Sequence, residues 1–327
     1  MLPYYYSVNE YLKDTYGCKM YRLSLDGGMT CPNRDGLIDT RGCIFCSRGG
    51  SGDFATKLSI ATPIESEGKS SSNMTLRQQQ IIANLDANIS KAKERVSNKF
   101  KGDSYIAYFQ SFTNTYASPS YLRSLFFPVI NRDDIKILDI ATRPDCLEEP
   151  ILEVLDACNK IKPVWVELGL QTIHEKSAKY IRRGYPLKTF VDAVDKLNKL
   201  NIPIIVHVII GLPGESNNDI YETIKFISKL PISGVKLQLL HVLKDTDLYQ
   251  DYLEKKFHIY SMEEYFDVLG NILKLLPANM VIHRLTGDGP KSLLVEPTWT
   301  ANKKYVLNSM NKYFKDNNIY QGCNFKK

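Results

Sequence analysis

Cys31-Pro32-Asn33-Arg34-Asp35-Gly36-Leu37-Ile38-Asp39-Thr40-Arg41-Gly42-Cys43-Ile44-Phe45-Cys46 is the stretch on which the reading of this chain turns. Three thiols stand at the spacing C-x11-C-x2-C, and the Gly, Pro, Asn and Asp between them make a loop, not a helix or strand. A C-x2-C pair offers two sulfurs to one metal centre from a single turn, and Cys31 can return to that centre from the far end of the loop. Three ligands leave one coordination position open. A structural zinc site is closed by four ligands, whereas an open position leaves room for chemistry. On spacing alone, a structural zinc site and a thioredoxin-like redox pair remain alternatives.

The rest of the composition supports a folded protein with a metal. With 327 residues, 43% hydrophobic and 24% charged, the chain can bury one large core or two moderate ones. Its start lacks a basic region followed by an apolar run, and no stretch of about 18 apolar residues occurs. The expectation is a cytoplasmic protein with no membrane partner. Seven cysteines, three of them around one loop, argue for metal over disulfides, and Cys18, Cys146, Cys158 and Cys323 read as scattered thiols. The net charge of +6 permits a polyanionic partner. From Lys303 to the end there are six lysines and one aspartate, interleaved with Tyr305, Tyr313, Phe314, Tyr320 and Phe325. That mixture suits phosphate contact and base stacking, or equally an amphipathic helix packing its aromatics inward.

From Met20 onward, β-rich runs alternate with helical patterns, which implies a parallel sheet with right-handed crossovers. The strand candidates are Tyr21 to Leu25, Tyr105 to Phe109, Ile135 to Ile140, Val164 to Leu168, Ile204 to Ile210 and Val235 to Leu240. Thr75 to Gln78 has the form of a capping box ahead of Ile82, Leu85, Ile89, Ala92 and Val96 on one face, and Ser216 to Asp219 begins another helix. Residues 65–73 are polar and aperiodic and read as a mobile loop. A doubly wound sheet and a barrel both fit this order.

The cysteine loop resembles the cluster loop of radical S-adenosylmethionine (SAM) enzymes, whose usual spacing is C-x3-C-x2-C. The longer first gap is similar to the Elongator catalytic-subunit branch and to a bacterial branch carrying C-P-N-R-D-G and C-x-F-C. The resemblance implies an α/β fold, a partial (β/α)6 TIM-like barrel, as a core over residues 1–244 with the cluster loop at 27–48. A C-terminal extension over 245–327 would then cover the substrate side. It also implies a 4Fe-4S cluster on Cys31, Cys43 and Cys46, SAM on the fourth iron, and an electron donor such as flavodoxin or ferredoxin.

Reacting groups of such a barrel sit at strand C-termini. After the second strand, Gln110, Ser111, Thr113 and Asn114 supply partners for the methionine end of SAM, without the family's glycines. Arg143 ends the third strand, able to meet a carboxylate or phosphate. Glu167-Leu168-Gly169-Leu170-Gln171-Thr172 resembles the G-x-Q-S/T segment, which implies that Gln171 contacts SAM. Glu167, in an apolar strand, needs a ligand hydroxyl or an arginine as partner. Ile181-Arg182-Arg183-Gly184-Tyr185 is similar to N-R-G-H, which implies that Arg183 pairs with the SAM carboxylate. His207 points at SAM or into the core, and the turn Gly211-Leu212-Pro213-Gly214-Glu215 resembles the adenine support. His241, and His283 and Arg284 in the turn up to Pro290, are candidate substrate contacts.

The resemblance implies cleavage of SAM to a 5'-deoxyadenosyl radical. Together with the basic C-terminal segment it implies a transfer RNA substrate, with 5-carboxymethylaminomethyl-uridine at the wobble position becoming the aminomethyl form. A radical SAM enzyme acting on a small molecule and a non-catalytic metal-containing RNA-binding protein are the alternatives.

Overall fold

Apolar runs and amphipathic runs take turns along the chain, and they become strands and helices in that order. The structure, a computed structural model, describes residues 4–50, 74–287 and 289–325. The loop expected at 65–73 lies outside those residues. Among the described residues the strands are β1 (Tyr21–Leu25), β2 (Tyr105–Phe109), β3 (Ile135–Thr142), β4 (Val164–Gln171), β5 (Ile204–Ile210), β6 (Gly234–Leu239), β7 (Val242–Leu243), β8 (Val281–Arg284) and β9 (Leu294–Glu296). Seven of them form one sheet in the order β1-β2-β3-β4-β5-β6-β8, with every pair parallel. β7 and β9 make a separate antiparallel pair.

The sheet curls into the expected α/β partial barrel, with β1 and β8 as its open edges. It has one strand more than the six read from the sequence. The apolar run at residues 280–285 is too short to identify by period, but after the crossover helix it pairs with β6 through Val281 and Ile282.

The helices are α1 (Val8–Tyr16), α2 (Leu76–Ala83), α3 (Leu85–Ser97), α4 (Pro119–Ile130), α5 (Glu149–Asn159), α6 (Glu175–Tyr180), α7 (Leu187–Lys199), α8 (Asn217–Ile227), α9 (Leu248–Leu253), α10 (Met262–Leu275) and α11 (Lys303–Asp316). Both expected capping boxes form, at Thr75 with Gln78 and at Ser216 with Asp219. The single helix expected after Thr75 is two, because the chain leaves helical geometry at Asn84 (φ −111°, ψ 17°). There the Asn84 side chain donates to the Gln80 carbonyl at 2.8 Å, a local bond that competes with the helix ladder.

Side chains alternate across each strand, so every strand builds two surfaces. Outward residues such as Leu23, Phe109, Ile140, Val166 and Val206 pack under Leu125, Leu155, Val194 and Ile224 of the surrounding helices. Each such burial is worth roughly 1.5–3 kcal/mol. Inward residues form layers. At the base, Ile106, Ile137, Trp165 and Ile205 join Leu12 of α1 in an apolar plug. Two residues further along each strand, the inward positions are Tyr108, Asp139, Glu167 and His207, all polar. The barrel is therefore shut below and chemically active above.

Candidate active site

The cysteine loop leaves β1 at the carboxyl end of the barrel, and its own residues fold it back. The Pro32 carbonyl accepts from Ile38 N–H at 2.8 Å, and the Asn33 carbonyl from Gly42 N–H at 2.7 Å. Asn33 Nδ2 donates to the Arg182 carbonyl at 2.6 Å and lies 3.5 Å from Cys43 Sγ. Arg34 Nη2 donates to the carbonyls of Cys46 (2.9 Å) and Ser47 (2.6 Å), tying the start of the long gap to its end. Gly42, at φ +77°, makes room for that guanidinium, since a Cβ there would meet Arg34 Nε at 2.7 Å. Behind the loop, Ile44 packs with Ile181, Ile209 and Leu212.

Cys31, Cys43 and Cys46 all line one cavity of about 240 Å³. Burial pushes the Cys43 thiol up to about 12, and the sulfurs of Cys46 and Cys31 add to the shift. Three thiols that line one cavity offer sulfur donors to a cationic centre placed among them. Among the described residues they do not form a group whose ligand atoms all lie within 4.8 Å of one another. A single tetrahedral zinc with bonds of about 2.3 Å would draw its sulfurs to about 3.8 Å. No fourth cysteine lines the cavity. The donor set fits an open, three-thiolate iron–sulfur centre better than a closed zinc site.

Below the sulfurs lies the inward polar layer. Glu167 Oε2 accepts from Tyr108 Oη (2.7 Å), from Lys236 Nζ (2.5 Å) and from His207 Nε2 (2.8 Å). The Lys236 ammonium also donates to Tyr108 Oη at 2.9 Å and sits 4.4 Å from that ring's centroid. Burial raises the Glu167 carboxyl, but Lys236, His207 and Arg22 outweigh it and hold the group well below the usual carboxylate range. Burial lowers Lys236, with Arg22 and Arg284 adding and Glu167 opposing. Arg22 Nε donates to Asp139 Oδ2 at 3.0 Å. Arg22, Lys236 and Arg284 thus face Asp139 and Glu167 in this layer, and burial together with Glu167 pushes the Asp139 carboxyl up to about 7. Arg284 lines the cavity, and its guanidinium makes no hydrogen bond or ion pair among the described residues.

The cavity brings together most of the residues singled out in the sequence: Gln110, Thr113, Arg143, Glu167, Gln171, Arg183, His207, His241 and Arg284 join the three cysteines. Their engagements differ. Gln171 sits in the left-handed region (φ +66°) at a bulge between β4 and β5, and its buried Oε1 has no hydrogen-bond partner among the described residues. A non-glycine held there is strained, which is how a side chain is kept aimed at a ligand. Arg143 is bidentate to Asp145 at 2.9 and 2.7 Å, with its guanidinium 4.9 Å from the Tyr185 ring centroid. Arg183, fully buried, donates to the carbonyls of Tyr185, Leu170 and Thr172 and to Glu175.

Other expected residues stand off the cavity wall. Asn114 Nδ2 ties the end of β2 to β3 through the carbonyls of Phe109 and Ala141, and Ser111 is buried beside it. Gly211, Leu212 and Pro213 lie behind the cluster loop, Leu212 packing on Ile44. His283 faces the open seam, where Nδ1 lies 2.8 Å from Arg22 Nη2, so it bridges the two edge strands and does not meet the cavity. The register shifts between β6 and β8 here, Ile282 pairing with Val235 and Arg284 with Lys236, so His283 is the extra residue of a bulge: it packs low against Trp165 and Arg22 while Arg284 lies level with Lys236. Sequence reading missed Tyr108, Lys236 and Gln238. The signal for Lys236 and Gln238 was present in β6, where Lys and Gln alternate with Val and Leu.

The chain is similar to known proteins over nearly its whole length. YtqA of Bacillus subtilis (strain 168) is 38% identical over 323 residues, covering 99% of this chain and 93% of YtqA. The tRNA uridine(34) acetyltransferase of Methanocaldococcus infernus is 28% identical over 169 residues, half of this chain and 31% of that protein. Among solved structures, the archaeal Methanocaldococcus infernus Elp3 with an N-terminal deletion superposes with a TM-score of 0.60 at 18% identity, covering 75% of this chain and 60% of that one, and shares the fold. The Radical_SAM C-terminal domain matches residues 232–316. The Radical SAM superfamily matches residues 40–227, and with the open three-cysteine loop at the mouth of a partial barrel, this chain belongs to that superfamily and uses a 4Fe-4S cluster and SAM.

Proposed function

We propose that this radical SAM enzyme acts on transfer RNA, removing the carboxymethyl group of 5-carboxymethylaminomethyl-uridine at the wobble position to leave the aminomethyl form: the methylene is oxidised by two electrons, with SAM as the oxidant leaving as methionine and 5'-deoxyadenosine, and water then breaks the C–N bond to release the fragment as glyoxylate. The observation that carries the reading is Arg284, an inward guanidinium without an ion pair among the described residues, in the same cavity as the three cysteines. A carboxylate on the substrate side chain pairs with this guanidinium and accepts its bidentate fork. The tRNA assignment draws on the relative named as a tRNA uridine(34) acetyltransferase, which matches half of this chain.

Bound on Cys31, Cys43 and Cys46, the cluster together with SAM supplies hydrogen-atom abstraction. The chain's own residues do the positioning. Gln171 offers its unpaired amide oxygen to the cofactor, and Arg284 holds the substrate carboxylate. Ile209, Leu239, Leu240 and Leu243 make an apolar wall that keeps water from the reacting carbon. The Glu167 network fixes His207 and Tyr108 as a rigid floor.

The test is nucleoside analysis by mass spectrometry of tRNA from a strain lacking the gene. The expected result is accumulation of 5-carboxymethylaminomethyl-uridine and loss of the forms derived from aminomethyl-uridine. An unchanged wobble profile overturns the proposal.

A further inference from the structure

A second cavity, of about 760 Å³, opens beside the first and shares His241, Gly287 and Gly289 with it. The junction is narrow because glycine backbone wraps an imidazole: a Cβ at Gly287 would strike His241 Nε2, and one at Gly289 would meet Nδ1 at 2.9 Å. Outward from it the groove is lined by Lys291, Lys303, Lys304, Trp299 and Tyr305. Among the described residues that line it, none is acidic. The lysines are exposed, and the Tyr305 side chain stands 56% exposed. Trp299 is fixed, with Nε1 donating to the Tyr260 carbonyl at 3.0 Å and its ring against Tyr265.

We infer that this groove is the track along which an RNA strand lies, with phosphates on Lys291, Lys303 and Lys304, a base stacked on Tyr305, and the target nucleotide turned past His241 into the cysteine-lined cavity. The inference rests on the tRNA reading above and adds the surface that receives it. Three features point to a nucleic acid strand. Charge is one: lysines track phosphates in a groove. An exposed aromatic between them is the second, since a single strand offers bases for stacking and an acidic protein would leave Tyr305 unused. The third is placement: Lys303 and Lys304 open α11 at the edge of the groove, and continuity with the reacting cavity supplies the path for a base taken out of its stack.

The experiment measures binding of a fluorescently labelled anticodon stem-loop RNA to cluster-loaded protein under anaerobic conditions across a salt series. The variants are Lys303→Ala/Lys304→Ala, Tyr305→Ala, and a control, Lys199→Ala/Lys225→Ala, on exposed positions of α7 and α8. The groove pair is expected to weaken binding and to reduce the slope of log affinity against log salt by about 1.4, as two lost contacts to a single strand require. Tyr305→Ala is expected to weaken binding at least about fivefold with the slope unchanged. The control matches the parent protein. If the parent binds with a steep salt dependence and the groove variants bind like the control, the groove is overturned and the tRNA reading stands. If the parent shows no salt-dependent RNA binding, both fall.

Discussion

Arg183 and Arg284 stand on two walls of one cavity and are used in opposite ways. Arg183, on the β4 side, is enclosed, and its guanidinium is consumed by three backbone carbonyls and Glu175. Arg284, at the end of β8, lines the cavity and has no such partners among the described residues. The first holds a wall in shape, and the proposed function gives the second to a ligand. Asn114 and Gln171 differ in what their amides tie down: the Asn114 nitrogen joins the ends of β2 and β3, whereas Gln171, held at φ +66° on the cavity wall, leaves its buried oxygen without a partner among the described residues.

The largest expected effect bears on what both walls serve. Cys43→Ala abolishes formation of 5'-deoxyadenosine from SAM and lowers the iron content of the reconstituted protein; retained turnover would remove the cysteine loop from the chemistry. Next, Arg183→Met strands buried carbonyls and lowers the unfolding free energy by about 3 kcal/mol, read by denaturant titration. Arg284→Met does the reverse: its unfolding free energy stays within about 0.5 kcal/mol of the parent. The kcat/KM for the carboxylate-bearing tRNA falls roughly 10- to 100-fold, and Arg284→Lys recovers part of it. If the two methionine variants destabilise alike, the division between wall and ligand arginine is wrong.

The smallest effect is a slope. Burial, and then Arg22, hold the His283 imidazole well below its ordinary value of 6.5. The folded state keeps it neutral while the unfolded chain takes up a proton below that pH. Stability is therefore full above about 6.5 and is lost as pH falls, by about 1.4 kcal/mol per pH unit for this one group. His283→Gln should flatten the pH dependence of the denaturant midpoint by that amount; an unaltered slope would show that His283 does not bridge the seam as a neutral ring.

The open metal loop and the strand order were legible because they depend on local spacing. C-x11-C-x2-C needs no tertiary context to bring two sulfurs to one turn, and the strand runs carry their period in adjacent residues. The two arginines were not separable this way. Arg183 follows a motif and Arg284 sits in a polar turn, yet which guanidinium is enclosed depends on where carbonyls from β4 and the segment before α7 arrive. His283 was read with Arg284 as one cluster, and the bulge in β8 sets them at different levels of the barrel. Lys236 and Gln238 were signalled by alternation alone, which marks a facing direction and not a partner.

By itself, then, the sequence determined the three-cysteine spacing, the parallel α/β order and the helix caps, since each is written in residues no more than a few turns apart. Only the tertiary structure decided the seventh strand, the Glu167 network and the meeting of the lysine groove with the cavity at His241. Those features join residues at least 40 positions apart, and their energies exist only once burial removes water from both partners.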